Sequence, residues 1–300
     1  RVYPMSNILV TGGSGFVGSH LKAKKPDWTY LSSKECDLTD PTEVRNLLGD
    51  LRPEAIVHLA AKVGGIKENT EKQADFYQAN IQIDSNVLHQ ANLLGINRIL
   101  SSLSTCSFPE NVKHPFSEKD LLEGPPTRSN MSYGMCKRML HIGSIAYRNQ
   151  YGRNYSTFCP SNVYGPGDHF GEEGSHFVAS LVHKCAKAKN GDKINFWGSG
   201  NPLRQHLYVG DLVEIIIKLL DSHHSEEPLI VAPNENLSIK EMVEIGLRVS
   251  NKKVSVKFDG KFDGQHRKDG CNESLLQLIG NYDFTLFEDG FRRAYESYAK

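Results

Sequence analysis

The chain has 300 residues, 39% of them hydrophobic, and its 35 Lys+Arg balance its 35 Asp+Glu to a formal net charge of zero. That length supports one large domain or two, while the even balance and the lack of any Lys/Arg block give no support to a nucleic-acid or membrane-surface partner. A mean hydropathy of −0.43 without a long apolar run argues against a spanning helix. The six cysteines nowhere fall at C-x-x-C spacing, which signals neither a zinc ribbon nor a redox pair and suits a reducing cytoplasm.

In chain order, Arg1 to Met5 carry no apolar signal segment, and Met5 reads as the native start. Ile8-Leu9-Val10 is a short strand-like run followed at once by Thr11-Gly12-Gly13-Ser14-Gly15-Phe16-Val17-Gly18. Gly12, Gly15 and Gly18 allow a tight turn and close backbone approach to a pyrophosphate, and the helix that opens there offers free N–H groups. The bland alternative is a structural turn. The second strand should end near Tyr30-Leu31-Ser32-Ser33-Lys34-Glu35. An acid at that end would hold the ribose 2′-hydroxyl of NAD. Ser32, Ser33 and Lys34 offer hydroxyls and a cation suited to a 2′-phosphate, so NADP(H) is favoured, unless Lys34 is only a solvated charge. Asp37 and Leu38 would flank the adenine.

Asp40-Pro41 reads as an N-cap with Pro in the first helical position, opening a helix through Leu48. Ala55 to Leu59 is a buried strand, and Leu59-Ala60-Ala61 presents small side chains where a flat cofactor would pass. Helices follow over Asp75 to Leu94 and Tyr133 to Tyr151, with strands at Arg98 to Ser102 and Ser156 to Cys159. Alternating strands and helices predict an α/β fold with a doubly wound, Rossmann-like parallel sheet. After about Pro160 glycine and proline become dense, and short strands (Lys193 to Trp197, Val254 to Phe258) mix with helices (Asp211 to Leu220, Ser238 to Val249). The expected division is a nucleotide-binding domain over 5–163, rejoined by 206–232, and a smaller substrate-binding lobe over 164–205 and 233–300.

Tyr133 and Lys137, four apart, share a helix face. A neighbouring ammonium lowers a phenol's pKa, which makes Tyr133 a candidate proton donor and acceptor. Ser104 lies upstream at a strand end. Tyr133 and Lys137 have ordinary readings too: a packed aromatic and a solvated charge. A lone Cys such as Cys106 is usually a small buried hydrophobe, and His176 in a Gly/Glu loop is usually a surface residue. His169, Glu172, His176 and His183 match no metal-ligand spacing, so no metal is expected.

Ser104, Tyr133-x-x-x-Lys137 and the glycine loop together resemble the extended short-chain dehydrogenase/reductase family, over nearly the whole chain. Within it the chain is most similar to the GDP-L-fucose synthase group of epimerase/reductases. The matching segments are Ala60-Ala61-Lys62-Val63-Gly64-Gly65-Ile66, Ser104-Thr105-Cys106 with Phe108-Pro109, Asn162-Val163-Tyr164-Gly165-Pro166, Ser175-His176, Trp197 to Arg204, and Asp263-Gly264 with Lys268. The resemblance implies a GDP-sugar substrate with a ketone at C4. Cys106 would be the base and His176 the acid for inversion at C3 and C5. Ser104 and Tyr133 would bind the C4 oxygen, and Lys137 would tune Tyr133 and bond the nicotinamide ribose.

The resemblance also places Ser102, Leu103, Pro160, Ser161, Asn162, Val163 and His176 along the cofactor. It places Lys184, Arg204 and Lys268 at the nucleotide diphosphate, Trp197 over the substrate unless it is core, and Asp263 on the guanosine side. Relatives more often carry Thr at 161, Arg at 184, and a second acid where Gly210 precedes Asp211. At 184 the change replaces a bidentate fork by a point charge. Competing readings are another nucleotide-sugar 4-epimerase or 4,6-dehydratase, which would call for an acid near Thr105-Cys106, and a non-catalytic NADP-binding protein, which would typically lose Tyr133 or Lys137. A cytoplasmic homodimer joined through the two long helices is the implied assembly.

Overall fold

The computed structural model describes residues 7–64, 71–171, 175–261 and 263–299. Six parallel strands form the central sheet. They are β1 (Ile8–Thr11), β2 (Thr29–Leu31), β3 (Ala55–His58), β4 (Arg98–Ser102), β5 (Asn154–Pro160) and β10 (Leu229–Val231), in the spatial order β10-β5-β4-β3-β1-β2. Strands buried on both faces read as continuous apolar runs because alternate side chains enter different cores. Leu9, Ile56 and Ile99 join one core, while Ile8, Val10, Ala55, Val57 and Leu100 join the other.

The first core is closed by α2 (Pro41–Leu51), α3 (Gln73–Leu93) and α4 (Met131–Tyr151). The second is closed by α1 (Phe16–Lys24) and α6 (Val209–Ser222). Asp40 caps α2 as the sequence predicts, its Oδ1 accepting from the Thr42 N–H at 2.7 Å and the Glu43 N–H at 3.3 Å. The helix runs three residues past the predicted Leu48, to Leu51.

A third core gathers Tyr164, Leu181, Phe196, Met242, Phe287 and Phe291. It lies among α5 (Phe177–Lys187), α7 (Ile239–Ser250) and α9 (Phe287–Ala299); the short α8 (Glu273–Ile279) packs instead on the second core through Leu275. The small strands here are β6 (Asn162–Tyr164), β7 (Lys193–Phe196), β8 (Leu203–Arg204), β9 (His206–Tyr208), β11 (Leu237–Ser238), β12 (Ser255–Phe258) and β13 (Arg267–Lys268). They pair as β6 with β9, β7 with β12, and β8 between β11 and β13. The β8–β13 register sets Lys268 beside Arg204. Gly210 in α6 makes room for a ring: a Cβ there would lie 2.6 Å from Tyr208 Cε1.

Candidate active site

The strand order reverses between β1 and β3, and ligands of open α/β sheets bind at the carboxyl ends of strands flanking such a point. The glycine loop lies there. Gly12 takes φ +72°, the Gly15 N–H donates to the Gly12 carbonyl at 3.0 Å, and Gly15 is the N-cap residue of α1. A Cβ on Gly18 would run into the Gly12 carbonyl and lie 2.7 Å from Gly13 Cα. Helix and turn are therefore pressed together, with Ser14 and Gly15 exposed and Phe16 and Val17 half-buried. This cradle admits a dinucleotide's pyrophosphate.

At the end of β2, Glu35 accepts from the Ser32 N–H at 2.8 Å and the Ser32 hydroxyl at 2.7 Å. Those bonds hold its carboxyl below the usual carboxylate range. The nearest acid is thus occupied within its own turn, while Ser33 and Lys34 stand exposed. That donor set fits a 2′-phosphate rather than a bare ribose. Asp37 accepts from the Thr39 N–H and hydroxyl at 2.9 and 2.7 Å. The Leu38 side chain packs into the first core. Leu59, Ala60 and Ala61 are half-buried past the end of β3. Ser102 and Leu103 end β4, with the Leu103 N–H bonded to the Phe158 carbonyl. Across the same edge run Pro160, Ser161, Asn162 and Val163. Ser161 is 5% exposed, and its hydroxyl has no partner among the described residues. A buried hydroxyl without a partner is costly, and a bound cofactor edge would satisfy it.

Ser104 caps a short 3-10 turn, Thr105–Ser107, its hydroxyl accepting from the Cys106 N–H at 3.2 Å. The turn sets the half-buried Cys106 against β13, where Lys268 Nζ lies 3.5 Å from the sulfur. An ammonium there stabilises negative charge on sulfur. Lys268, expected at the diphosphate, thus meets the thiol in this structure. Helix α4 reaches the same turn. Arg138 Nε donates to the Ser107 carbonyl at 2.6 Å, and Gly134 lies so close that a Cβ would strike the Cys106 carbonyl and sit 3.1 Å from Pro126 Cβ. Gly134→Ala is expected to destabilise the fold by about 1–3 kcal/mol, since backbone must move to admit the methyl. Urea unfolding measures this, and an unchanged midpoint would show that helix and turn are not in contact.

Tyr133 departs from the sequence expectation. Burial, followed by the Cys106 thiol and the Asp84 carboxylate, pushes its phenol up, not down. Lys137 does not counter this rise. The ammonium is 3% exposed and lies 3.4 Å from both oxygens of Asp84, which offset its charge. Tyr133 is therefore held as a proton donor.

His176 is exposed at the N-terminus of α5. Among the described residues no hydrogen bond joins it to Cys106 or Tyr133. Its charge acts on Asp168, whose carboxyl is raised by burial, and on His206, pushed down to about 3 by burial, Arg204 and His176. Glu172 lies outside the described residues. His183 bonds the Tyr298 hydroxyl at 2.7 Å.

Lys184 stands 5.9 Å over the Phe196 ring. Trp197 is 88% exposed, which removes its reading as core. Arg204 Nη2 donates to the Gln265 carbonyl at 2.8 Å, and burial lowers its guanidinium. Asp263 accepts from the Ser199 hydroxyl at 2.7 Å, fixing the turn that carries Trp197. Beside Cys106, Thr127, Gln265 and Lys268 line a small depression. Sequence reasoning missed His58, Asp84, Gly134 and Arg138. The available signal was a polar His ending an otherwise apolar strand and an acid on the inner side of a long helix.

The NAD dependent epimerase/dehydratase family model matches residues 8–232. A probable GDP-L-fucose synthase of Drosophila melanogaster is 33% identical, over 98% of this chain and 97% of its own. The GDP-L-fucose synthase of Dictyostelium discoideum is 33% identical, over 96% of this chain and 93% of its own. A crystal structure of a GDP-L-fucose synthetase from Naegleria fowleri bound to NADP superposes with a TM-score of 0.92 at 32% identity, over 99% of this chain and 94% of that one. Glycine cradle, parallel sheet and near full-length likeness agree: the chain belongs to the NAD dependent epimerase/dehydratase family.

Proposed function

We propose that this chain is a bifunctional enzyme, a 3,5-epimerase and NADPH-dependent 4-reductase that converts GDP-4-keto-6-deoxy-D-mannose to GDP-L-fucose. The observation that carries this reading is Cys106, held on the Ser104 turn against an ammonium. Ketone reduction needs a proton donor and a hydride source; it has no use for an added thiol base. Relatives named GDP-L-fucose synthase align with nearly the whole chain, which supports the same substrate.

Ser104 and Tyr133 hydrogen-bond the C4 oxygen, so that negative charge develops against fixed donors. The ketone acidifies the hydrogens at C3 and C5. Cys106, as thiolate, takes one of them and becomes a thiol, and the electron pair moves onto the C4 oxygen as an enolate. His176, as imidazolium, returns a proton to the opposite face of the carbon and becomes neutral. Exchange with solvent restores both groups before the second inversion. NADPH, when bound, supplies the hydride to C4. Tyr133 gives its proton to the C4 oxygen as the alcohol forms, and solvent reprotonates it. The glycine loop with Ser33 and Lys34 holds the phosphates of the cofactor, and Lys137 its nicotinamide ribose. Lys184 and Arg204 offer cations to the nucleotide diphosphate, Asp263 faces the guanosine side, and Trp197 closes over the sugar.

The functional division follows 5–163 with 206–232 for the cofactor, and 164–205 with 233–300 for the sugar nucleotide. A homodimer is proposed through α3 and α4, which pack side by side and leave Tyr77, Met135, Met139 and Ile142 exposed. The six cysteines are free thiols, in keeping with work in the cytoplasm. The test supplies GDP-4-keto-6-deoxy-D-mannose with NADPH, follows cofactor oxidation and identifies the sugar. GDP-L-fucose is the expected product. No NADPH consumption overturns the reductase, and a product inverted at neither carbon overturns the epimerase.

A further inference from the structure

A run of buried side chains leads from the cofactor loop to Lys137. The Thr11 hydroxyl accepts from the N–H groups of Leu59 and Ala60, each at 3.2 Å. Both of its lone pairs are then taken, so its own hydrogen goes to His58 Nδ1, 2.7 Å away. An imidazole accepting at Nδ1 carries its hydrogen on Nε2, and Nε2 lies 3.0 Å from Asp84 Oδ1. Asp84 in turn meets Lys137 at 3.4 Å through both oxygens. Thr11, His58, Asp84 and Lys137 are each at most 3% exposed. Every donor along the run points toward Asp84, and such oriented chains reinforce one another in a low-dielectric interior.

We propose that Asp84 is a positioning residue: it aims the Lys137 ammonium, and through His58 and Thr11 it ties that ammonium to the backbone along which the cofactor lies. The proposal rests on the reading of Lys137 and Tyr133 given above. Asp84 also acts on Tyr133 directly. The groups facing that hydroxyl are Cys106 from the turn after β4, Asp84 from α3, Cys159 from β5 and Cys136 from α4, with Lys137 one helical turn on. Cys136, pushed up to about 11, feels the same opposed pair, raised by Asp84 and lowered by Lys137 after the effect of burial. Removing the carboxylate takes away one of the influences that keep Tyr133 protonated and leaves the ammonium beside it unopposed.

The test compares wild type with Asp84→Asn, Asp84→Glu, Lys137→Met and the double variant Asp84→Asn/Lys137→Met. One readout needs no turnover: NADPH affinity by fluorescence titration. Asp84→Asn is expected to weaken binding by about tenfold, and in the Lys137→Met background to add little, because residues acting through one contact are not additive. The second readout is the pH profile of kcat/KM. In Asp84→Asn its alkaline limb moves to lower pH by about one unit. Asp84→Glu keeps the charge but shifts it by a methylene, and it falls between wild type and Asn in both readouts. It also carries the test if the Asn variant does not fold. Full additivity of the two substitutions, or variants that lose only thermal stability while affinity and pH limb stay in place, overturn the proposal. A wild-type protein that binds NADPH but leaves it unconsumed defeats the functional reading instead, and the binding cycle still decides the role of Asp84.

Discussion

Cys106→Ser is expected to slow proton exchange at sugar C3 and C5 by about 10²–10⁴-fold, the usual range for removing a positioned general base. The hydroxyl keeps the size of the thiol and can still accept from Lys268, so the Ser104 turn stays formed. What is lost is a thiol, which ionises far more readily than a hydroxyl, beside that ammonium. In the proposed mechanism reduction uses Ser104 and Tyr133 and continues, slowed by a far smaller factor. The variant should therefore consume NADPH while releasing an uninverted GDP-6-deoxyhexose. The measurement is deuterium incorporation at C3 and C5 in heavy water, by mass spectrometry, alongside NADPH oxidation. Exchange within a few-fold of wild type would remove the thiol from the mechanism.

Tyr133→Phe acts on the other half of the reaction. The ring still packs beside the Cys106 turn, but the donor to the C4 oxygen is gone, and NADPH oxidation should fall by about 10²–10⁴-fold. The pH dependence has a definite sign. Burial and its anionic neighbours raise the wild-type phenol above its ordinary value of 10.0, so ionisation of Tyr133 removes no activity below that pH. An alkaline loss between pH 8 and 10 that disappears in the Phe variant would contradict the placement of this group.

The elements were legible because their signals are local. Asp40-Pro41 announces its helix in two residues, and the apolar runs of β1, β3 and β4 mark strands covered on both faces. The glycine spacing likewise carries its geometry with it. The surroundings of the catalytic groups were not legible, because they are made across the chain. Lys268 meets Cys106 over a separation of 162 residues, and Asp84 meets Lys137 over 53. The i, i+4 spacing of Tyr133 and Lys137 suggested that an ammonium would depress the phenol. Burial of the hydroxyl, with the Cys106 thiol and a carboxylate from another helix behind it, reversed the sign.

The late position of β13 has a bearing on how the protein is made. During synthesis the sheet strands β1 to β5 and the Ser104 turn leave the ribosome long before Lys268 does. A nascent chain that has reached Tyr133 but not β13 has no Lys268 to set beside Cys106. The thiol therefore gains its ammonium only once 162 further residues have been added, and fragments cut before β13 lack that cation.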